Sequence, residues 1–159
     1  MTTIDPETLR RELLLDQAMN RQLDALVRRA SATVVLLRGN ESMEVNQLRN
    51  LLSTAVETGA LEVVINFIRY QIARNGRAWG TGPNDFGHRI IADLRGPVRD
   101  LARASVAEVQ EQEPNINSTR IEAEAFSRLM TLYLGYLNRA FYYAKRTGNF
   151  DDLEGVNRV

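Results

Sequence analysis

Apolar residues recur at three- and four-residue spacings along almost the whole chain, the signature of amphipathic helices. The first series is Leu9, Leu13, Leu14, Ala18, Leu23, Leu26 and Val27. Asp5-Pro6 opens it, with Asp5 as N-cap and Pro6 at a first helical position, where its missing N–H costs nothing. This spacing predicts one long N-terminal helix over residues 6–29. Thr33–Leu37 is apolar and β-branched but too short for periodicity to classify. With no second strand to pair with, it is expected to be helix or loop. Ser42 then caps a helix that buries Val45, Leu48, Leu51, Leu52, Ala55 and Val56 and stops at Gly59. A further helix, Ala60 to about Asn75, buries Leu61, Val64, Ile65, Ile68 and Ile72, and Gly76 ends it.

Gly76–Asp85 carries three glycines and a proline and is the clearest loop. Beyond it, Phe86, Ile90, Ile91 and Leu94 mark a helix broken at Gly96-Pro97, and another spans about Val98–Gln112. Thr119 and Glu122 have the spacing of a capping box. They open the longest helix, about Arg120–Thr147, closed by Gly148. Its buried face is expected to be Ile121, Ala125, Leu129, Leu132, Tyr133, Tyr136, Leu137, Ala140, Phe141 and Ala144. The prediction is an all-α fold, a single helical bundle of about five to six helices in one domain over 1–159. Its core lies in 42–148, and a short acidic tail covers 149–159.

Charge changes the picture by its distribution. Twenty bases balance 20 acids, yet residues 66–107 hold 7 bases and 3 acids, 108–124 hold 1 and 5, and 125–150 hold 4 and none. On the last helix the polar positions Arg128, Thr131, Gly135, Arg139, Tyr142 and Arg146 follow one another at three or four residues along one side. The helix after Gly59 shows a similar stripe: Asn66, Tyr70, Arg74 and Arg77. Polyanions respond to local potential, so basic, tyrosine-interleaved stripes point to nucleic acid despite a neutral total. A solvated face that happens to use arginine gives the same pattern. If the two helices pack side by side, Arg74, Arg139 and Arg146 share one surface.

Other chemistry finds little support. The chain has no cysteine, which excludes disulfides and thiolate-held metals, and its one histidine is His88. No carboxylate pair stands at metal-binding spacing with it, so no cofactor or metal is expected. An enzyme built on a hydrophobic pocket in the bundle would have to find its polar groups among Asp93, His88 and Glu122, and no catalytic residue is assigned. The glycine-rich loop lacks the Gly-Lys-Ser/Thr ending of a phosphate cradle and lies between helices. In it Trp79 is expected to anchor the loop on the bundle; the alternative is a stacking face beside the ionic grip of Arg77. The first residues do not look like a signal peptide and no apolar run is long enough to span a membrane, so a cytoplasmic protein is expected.

Three strings carry a resemblance. Val45-Asn-Gln-Leu-Arg-Asn-Leu-Leu-Ser53, Asn66-Phe-Ile-Arg-Tyr-Gln-Ile-Ala-Arg74 and Leu134-Gly-Tyr-Leu-Asn-Arg-Ala-Phe-Tyr-Tyr-Ala-Lys-Arg-Thr-Gly148 resemble the N-terminal helix, the helix that follows it and the closing helix of the small subunit of type III-A CRISPR effector complexes. The resemblance covers most of 42–150 and implies a non-catalytic role in antiviral defence. Copies of the subunit would stack beside other effector-complex subunits in a ribonucleoprotein and hold the backbone of the guide–target RNA duplex. By position it implies RNA contacts for Arg49, Arg69, Arg74, Arg139, Lys145 and Arg146, to which the stripes add Arg77 and Arg128. Arg49 has an alternative, a buried ion pair with Glu44 or Glu57. The rival expectation is a helical adaptor or homodimer. For it, Tyr133, Tyr136, Phe141, Tyr142 and Tyr143 circle more of the last helix than one internal face needs.

Overall fold

The computed structural model describes residues 3–154; residues 155–159 of the expected acidic tail lie outside the described residues. Among the described residues the chain is all helical with no strand. Its elements are α1 (Pro6–Asn20), α2 (Leu23–Val34), a 3-10 turn (Val35–Leu37), α3 (Val45–Thr58), α4 (Leu61–Arg74), α5 (Gly76–Trp79), α6 (Phe86–Arg95), α7 (Pro97–Gln112), α8 (Ser118–Thr147) and α9 (Asp151–Glu154). The all-α expectation holds, but the helices outnumber the five or six expected: seven have ten residues or more. No helix among the described residues is long and apolar enough to cross a membrane.

The organising element is α8, whose 30 residues extend about 45 Å. It packs against α2, α7 and α3 at once and touches α1 more lightly. A helix with neighbours on several sides cannot keep to one apolar stripe. Phe126, Met130 and Leu134 are therefore buried together with Ala125, Leu129, Tyr133, Leu137, Phe141 and Ala144, while Leu132 from the expected face reaches solvent. The α3–α4 hairpin turns at Gly59, which takes the left-handed conformation at φ 60°. Ser127 Oγ on α8 donates to the Gly59 carbonyl at 3.1 Å and pins the turn to the central helix. From there α4 packs on α3 and α6, and α6 packs on α7 and α2.

Several local expectations need correction. The long helix 6–29 is two helices, with a break at Arg21-Gln22. The cause is tertiary, since α1 lies along α7 whereas α2 lies along α8. Arg10–Glu113 at 3.0 Å and Arg21–Glu108 at 2.5 Å clamp α1 to α7, and Leu9 and Leu13 remain exposed. Ser42 is not the cap of α3, because Asn40 Oδ1 accepts from the Ser42 and Met43 amides at 2.9 and 3.0 Å in a turn ahead of the helix. The N-cap is Glu44, whose amide donates to Gln47 Oε1 at 2.8 Å. Val56, expected inside, is exposed.

At the start of α8 the Thr119–Glu122 box does not form. Asn117 caps instead, Oδ1 accepting from Arg120 N at 3.3 Å, and Glu122 turns to Arg103 and Arg99 on α7 at 3.2 and 3.9 Å. Gly76 does not simply end α4; it begins the one-turn α5. Thr33–Leu37 is the end of α2 and a 3-10 turn, as the missing partner strand implied. The tail is not free in its described part. There α9 packs on α2, Leu153 is buried, and Arg38 pairs with Asp151 at 2.8 Å and Glu154 at 3.2 Å.

Candidate nucleic-acid interface

The eight basic residues singled out in the sequence fall into three groups. The first is committed to internal ion pairs. Arg128 binds Asp16 of α1 at 2.7 Å. Lys145 donates to the Met43 carbonyl at 2.5 Å, pairs with Glu44 at 3.3 Å and lies 5.6 Å from the Phe141 ring, clamping the end of α8 to the start of α3. Arg49 forms the second group. It is exposed and its one side-chain bond goes to Asn46 Oδ1 at 3.3 Å, so neither Glu44 nor Glu57 neutralises it. The buried-ion-pair alternative is corrected accordingly.

The third group is Arg69, Arg74, Arg77, Arg139 and Arg146. All five are exposed, and none has an ionic partner among the described residues. Two of them repeat one geometry: the Arg74 guanidinium sits 5.8 Å from the exposed Tyr70 ring, and that of Arg146 sits 5.7 Å from the exposed Tyr142 ring. A guanidinium held near a tyrosine face keeps its donors free while the ring limits its motion. Such a unit suits a phosphate with an adjacent base or sugar.

The two Arg–Tyr units do not lie on helices packed side by side. The condition under which Arg74, Arg139 and Arg146 would share one surface is not met, since α4 and α8 each pack along α3 and not along the other. The exposed side of α3 presents Asn46, Arg49, Asn50 and Ser53 in its first half and Val56, Glu57 and Thr58 towards its end, so one arginine and one acid lie on it. Tyr143, the exposed aromatic next to Tyr142 on α8, is tied down, its hydroxyl donating to Asp152 of α9. That bond raises the pKa of the hydroxyl above its ordinary value.

Trp79 is wholly buried with its ring centroid 5.9 Å from Phe86, so it anchors its loop and offers no stacking face. Asn40 holds the same loop from outside, its amide donating to the Arg77 and Ala78 carbonyls at 3.3 and 2.9 Å. The Arg77 backbone is thereby fixed while its side chain stays exposed.

The polar groups that an enzyme with a pocket in the bundle would need are dispersed. His88 Nδ1 meets the Gly82 carbonyl at 3.0 Å, and Glu122 serves the α7–α8 seam. Asp93 is wholly buried and fully engaged, accepting from Arg29 Nε at 2.8 Å and from Thr33 Oγ1 and Tyr133 Oη at 2.5 Å each. Burial first, then the charge of Asp93 and the bond to it, hold the Tyr133 hydroxyl well above its ordinary pKa. This network joins α2, α6 and α8. Its signal in the sequence was an acid between Ile90 and Leu94, on the inward side of an apolar helix; its partners were not legible. No group of three or more His, Cys, Asp or Glu residues is placed to hold a metal among the described residues.

The fold and site together define an all-α bundle bearing exposed arginine–tyrosine units with no ionic partner among the described residues. No protein-family model, curated protein or solved structure matches the chain. Its functional reading therefore stands on this geometry and on the three strings quoted above.

Proposed function

We propose that this protein is a non-catalytic RNA-binding subunit that holds a phosphate backbone through the exposed arginines of α4 and α8. The observation that carries the reading is the pair of Arg–Tyr units, Arg74 with Tyr70 and Arg146 with Tyr142, on exposed faces that lack ionic partners among the described residues. Each arginine that grips a phosphate would gain by counterion release and carry no sequence information. The three strings extend the reading to the small helical subunit of a type III CRISPR effector complex, stacked in several copies along a guide–target RNA duplex in the cytoplasm. Stacking would also need protein contacts, and the exposed Ile4, Leu9 and Leu13 near and on α1 offer apolar surface for them.

The test is a triple substitution, Arg74→Ala, Arg139→Ala and Arg146→Ala, with RNA titrated at several salt concentrations. Affinity should fall about uniformly across sequences, and the salt dependence should flatten by roughly one unit of slope for each phosphate no longer gripped. Stability should hold within about 0.5 kcal/mol, since exposed substitutions rarely cost more. Unchanged RNA binding by the triple variant would refute the site and leave a protein-binding helical adaptor as the reading.

A further inference from the structure

A second feature lies on another part of the bundle, where α2 meets α6. A depression of about 160 Å³ is lined by Arg29, Ala32, Thr33, Leu36 and Arg89. Two arginines that face one small depression repel each other unless an anion lies between them. One anion is already there, but it is buried beneath: Asp93 takes Nε of Arg29 at 2.8 Å. Both carboxylate oxygens are spoken for, Oδ1 by Arg29 and Oδ2 by Thr33 and Tyr133. Asp93 offsets one positive charge and leaves the second. Arg89 has no ionic partner among the described residues and is half-buried.

The geometry of Arg29 adds to this. A guanidinium has five N–H donors in a rigid plane. Nε supplies one, to Asp93, and the terminal nitrogens make no hydrogen bond to a described residue. The Arg29 side chain keeps 35% of its surface exposed although its partner Asp93 has none. Held at Nε by a carboxylate that Thr33 and Tyr133 in turn hold, the fork presents its outer edge in a fixed plane. This is the arrangement that favours bidentate capture of a tetrahedral oxyanion, because little side-chain freedom remains to be lost on binding. A lysine in either place would offer only a point charge.

We infer that the α2–α6 depression is a phosphate-binding site, with Arg29 as the oriented fork, Arg89 as the second cation, and Asp93, Thr33 and Tyr133 as positioning residues. The site is independent of the α4 and α8 arginines. Its ligand chemistry is a phosphate oxyanion, from either a free phosphate compound or a nucleic-acid phosphodiester.

Calorimetric titration with inorganic phosphate and with pyrophosphate, and anisotropy titration with a short single-stranded RNA, test it on the intact protein. Arg89→Ala should weaken phosphate and pyrophosphate binding about tenfold or more, the scale of a single charge-assisted bond, without lowering the melting temperature. Arg29→Lys should weaken it comparably although charge is kept. The Arg74, Arg139 and Arg146 triple variant should bind inorganic phosphate like the wild type, so failure of the RNA-binding proposal would leave this result standing. If RNA binding also falls in Arg89→Ala, the phosphate source is a backbone; if RNA binding is unchanged, it is a free phosphate compound. A wild-type protein that binds neither inorganic phosphate nor pyrophosphate, or binding unaffected by Arg89→Ala, overturns the inference.

Discussion

Tyr133→Phe isolates one bond of the buried network. The ring and its packing remain, and the loss is the hydroxyl that donates to Asp93 Oδ2. A hydrogen bond to a charged group contributes about 1.5–3 kcal/mol. Arg29 and Thr33 still hold the carboxylate, so the cost should lie near the lower half, about 2 kcal/mol. Against a domain stability of about 5–15 kcal/mol that is a large fraction, and with a urea slope of about 2 kcal/mol/M the midpoint should fall by about 1 M. The pH dependence gives a second readout. In the unfolded chain tyrosine ionises near 10, whereas in the folded protein burial, then the charge of Asp93 and the bond to it, hold the pKa well above that value. The stabilisation is therefore complete below a pH of about 10. Above that pH the unfolded state sheds a proton that the native state keeps, and wild-type stability falls by up to about 1.4 kcal/mol per pH unit from this group. Phenylalanine has no such loss, so the difference between the two proteins should shrink as pH rises past 10. Urea unfolding followed by helical circular dichroism between neutral pH and pH 11 measures it. A neutral-pH difference below about 0.5 kcal/mol would show that the hydroxyl is not bonded to Asp93. A difference that stays constant up to pH 11 would show that Tyr133 ionises as readily folded as unfolded.

Three further substitutions test the packing. Gly87→Ala would place a methyl 2.6 Å from Ile72 Cγ1 and 3.2 Å from the Trp79 carbonyl; overpacking of this kind should cost about 1–3 kcal/mol in a thermal melt, and a neutral result would mean that α4 and α6 do not meet this closely. Gly135→Ala meets nothing within 4 Å, so it should stabilise the interior of α8 by up to about 1 kcal/mol; a drop in melting temperature would reveal a clash at that position. Asn117→Ala should cost about 1 kcal/mol by removing the amide oxygen that caps α8, whereas Thr119→Ala, at the position of the unformed box, should cost less; the reverse order in urea midpoints would restore the box.

The helices were legible where local chemistry dictates them. Gly59 and Gly148 both adopt the left-handed conformation that closes a helix, and α6 and α7 part at Gly96-Pro97 as the sequence requires. What escaped was decided by distant residues. Nothing between Pro6 and Val34 breaks a helix locally, so the turn at Arg21-Gln22 exists because α1 and α2 have different partners. The burial of Phe126, Met130 and Leu134 has the same origin: a helix enclosed on several sides has no single face for periodicity to find. Both capping residues were misplaced by two positions: Glu44 and not Ser42 caps α3, because Asn40 Oδ1 takes the Ser42 and Met43 amides in the turn ahead of it, and Asn117 and not Thr119 caps α8.

The candidate interface was half legible, and the division has a physical cause. From residue 125 to 150 the chain has no acid, so Arg139 and Arg146 have no acidic neighbour three or four residues away on their own helix, and only Arg128 has one, Glu124. On α4 the only acid is Glu62, which lies at the first turn and faces Arg95 at 3.7 Å. Sequence thus identifies the helices whose cations must look elsewhere for a partner. Whether they find one is a matter of packing: Arg128 meets Asp16 and Lys145 meets Glu44, across 112 and 101 residues of chain, while Arg74, Arg139 and Arg146 meet no described acid. Arg29 shows the converse. Nothing in its own sequence neighbourhood sets it apart from Arg28, yet the fold gives one a buried carboxylate to fix its plane and leaves the other in solvent. Orientation of a guanidinium, and with it the difference between a solvated charge and a fixed oxyanion fork, is a property that only the tertiary fold supplies.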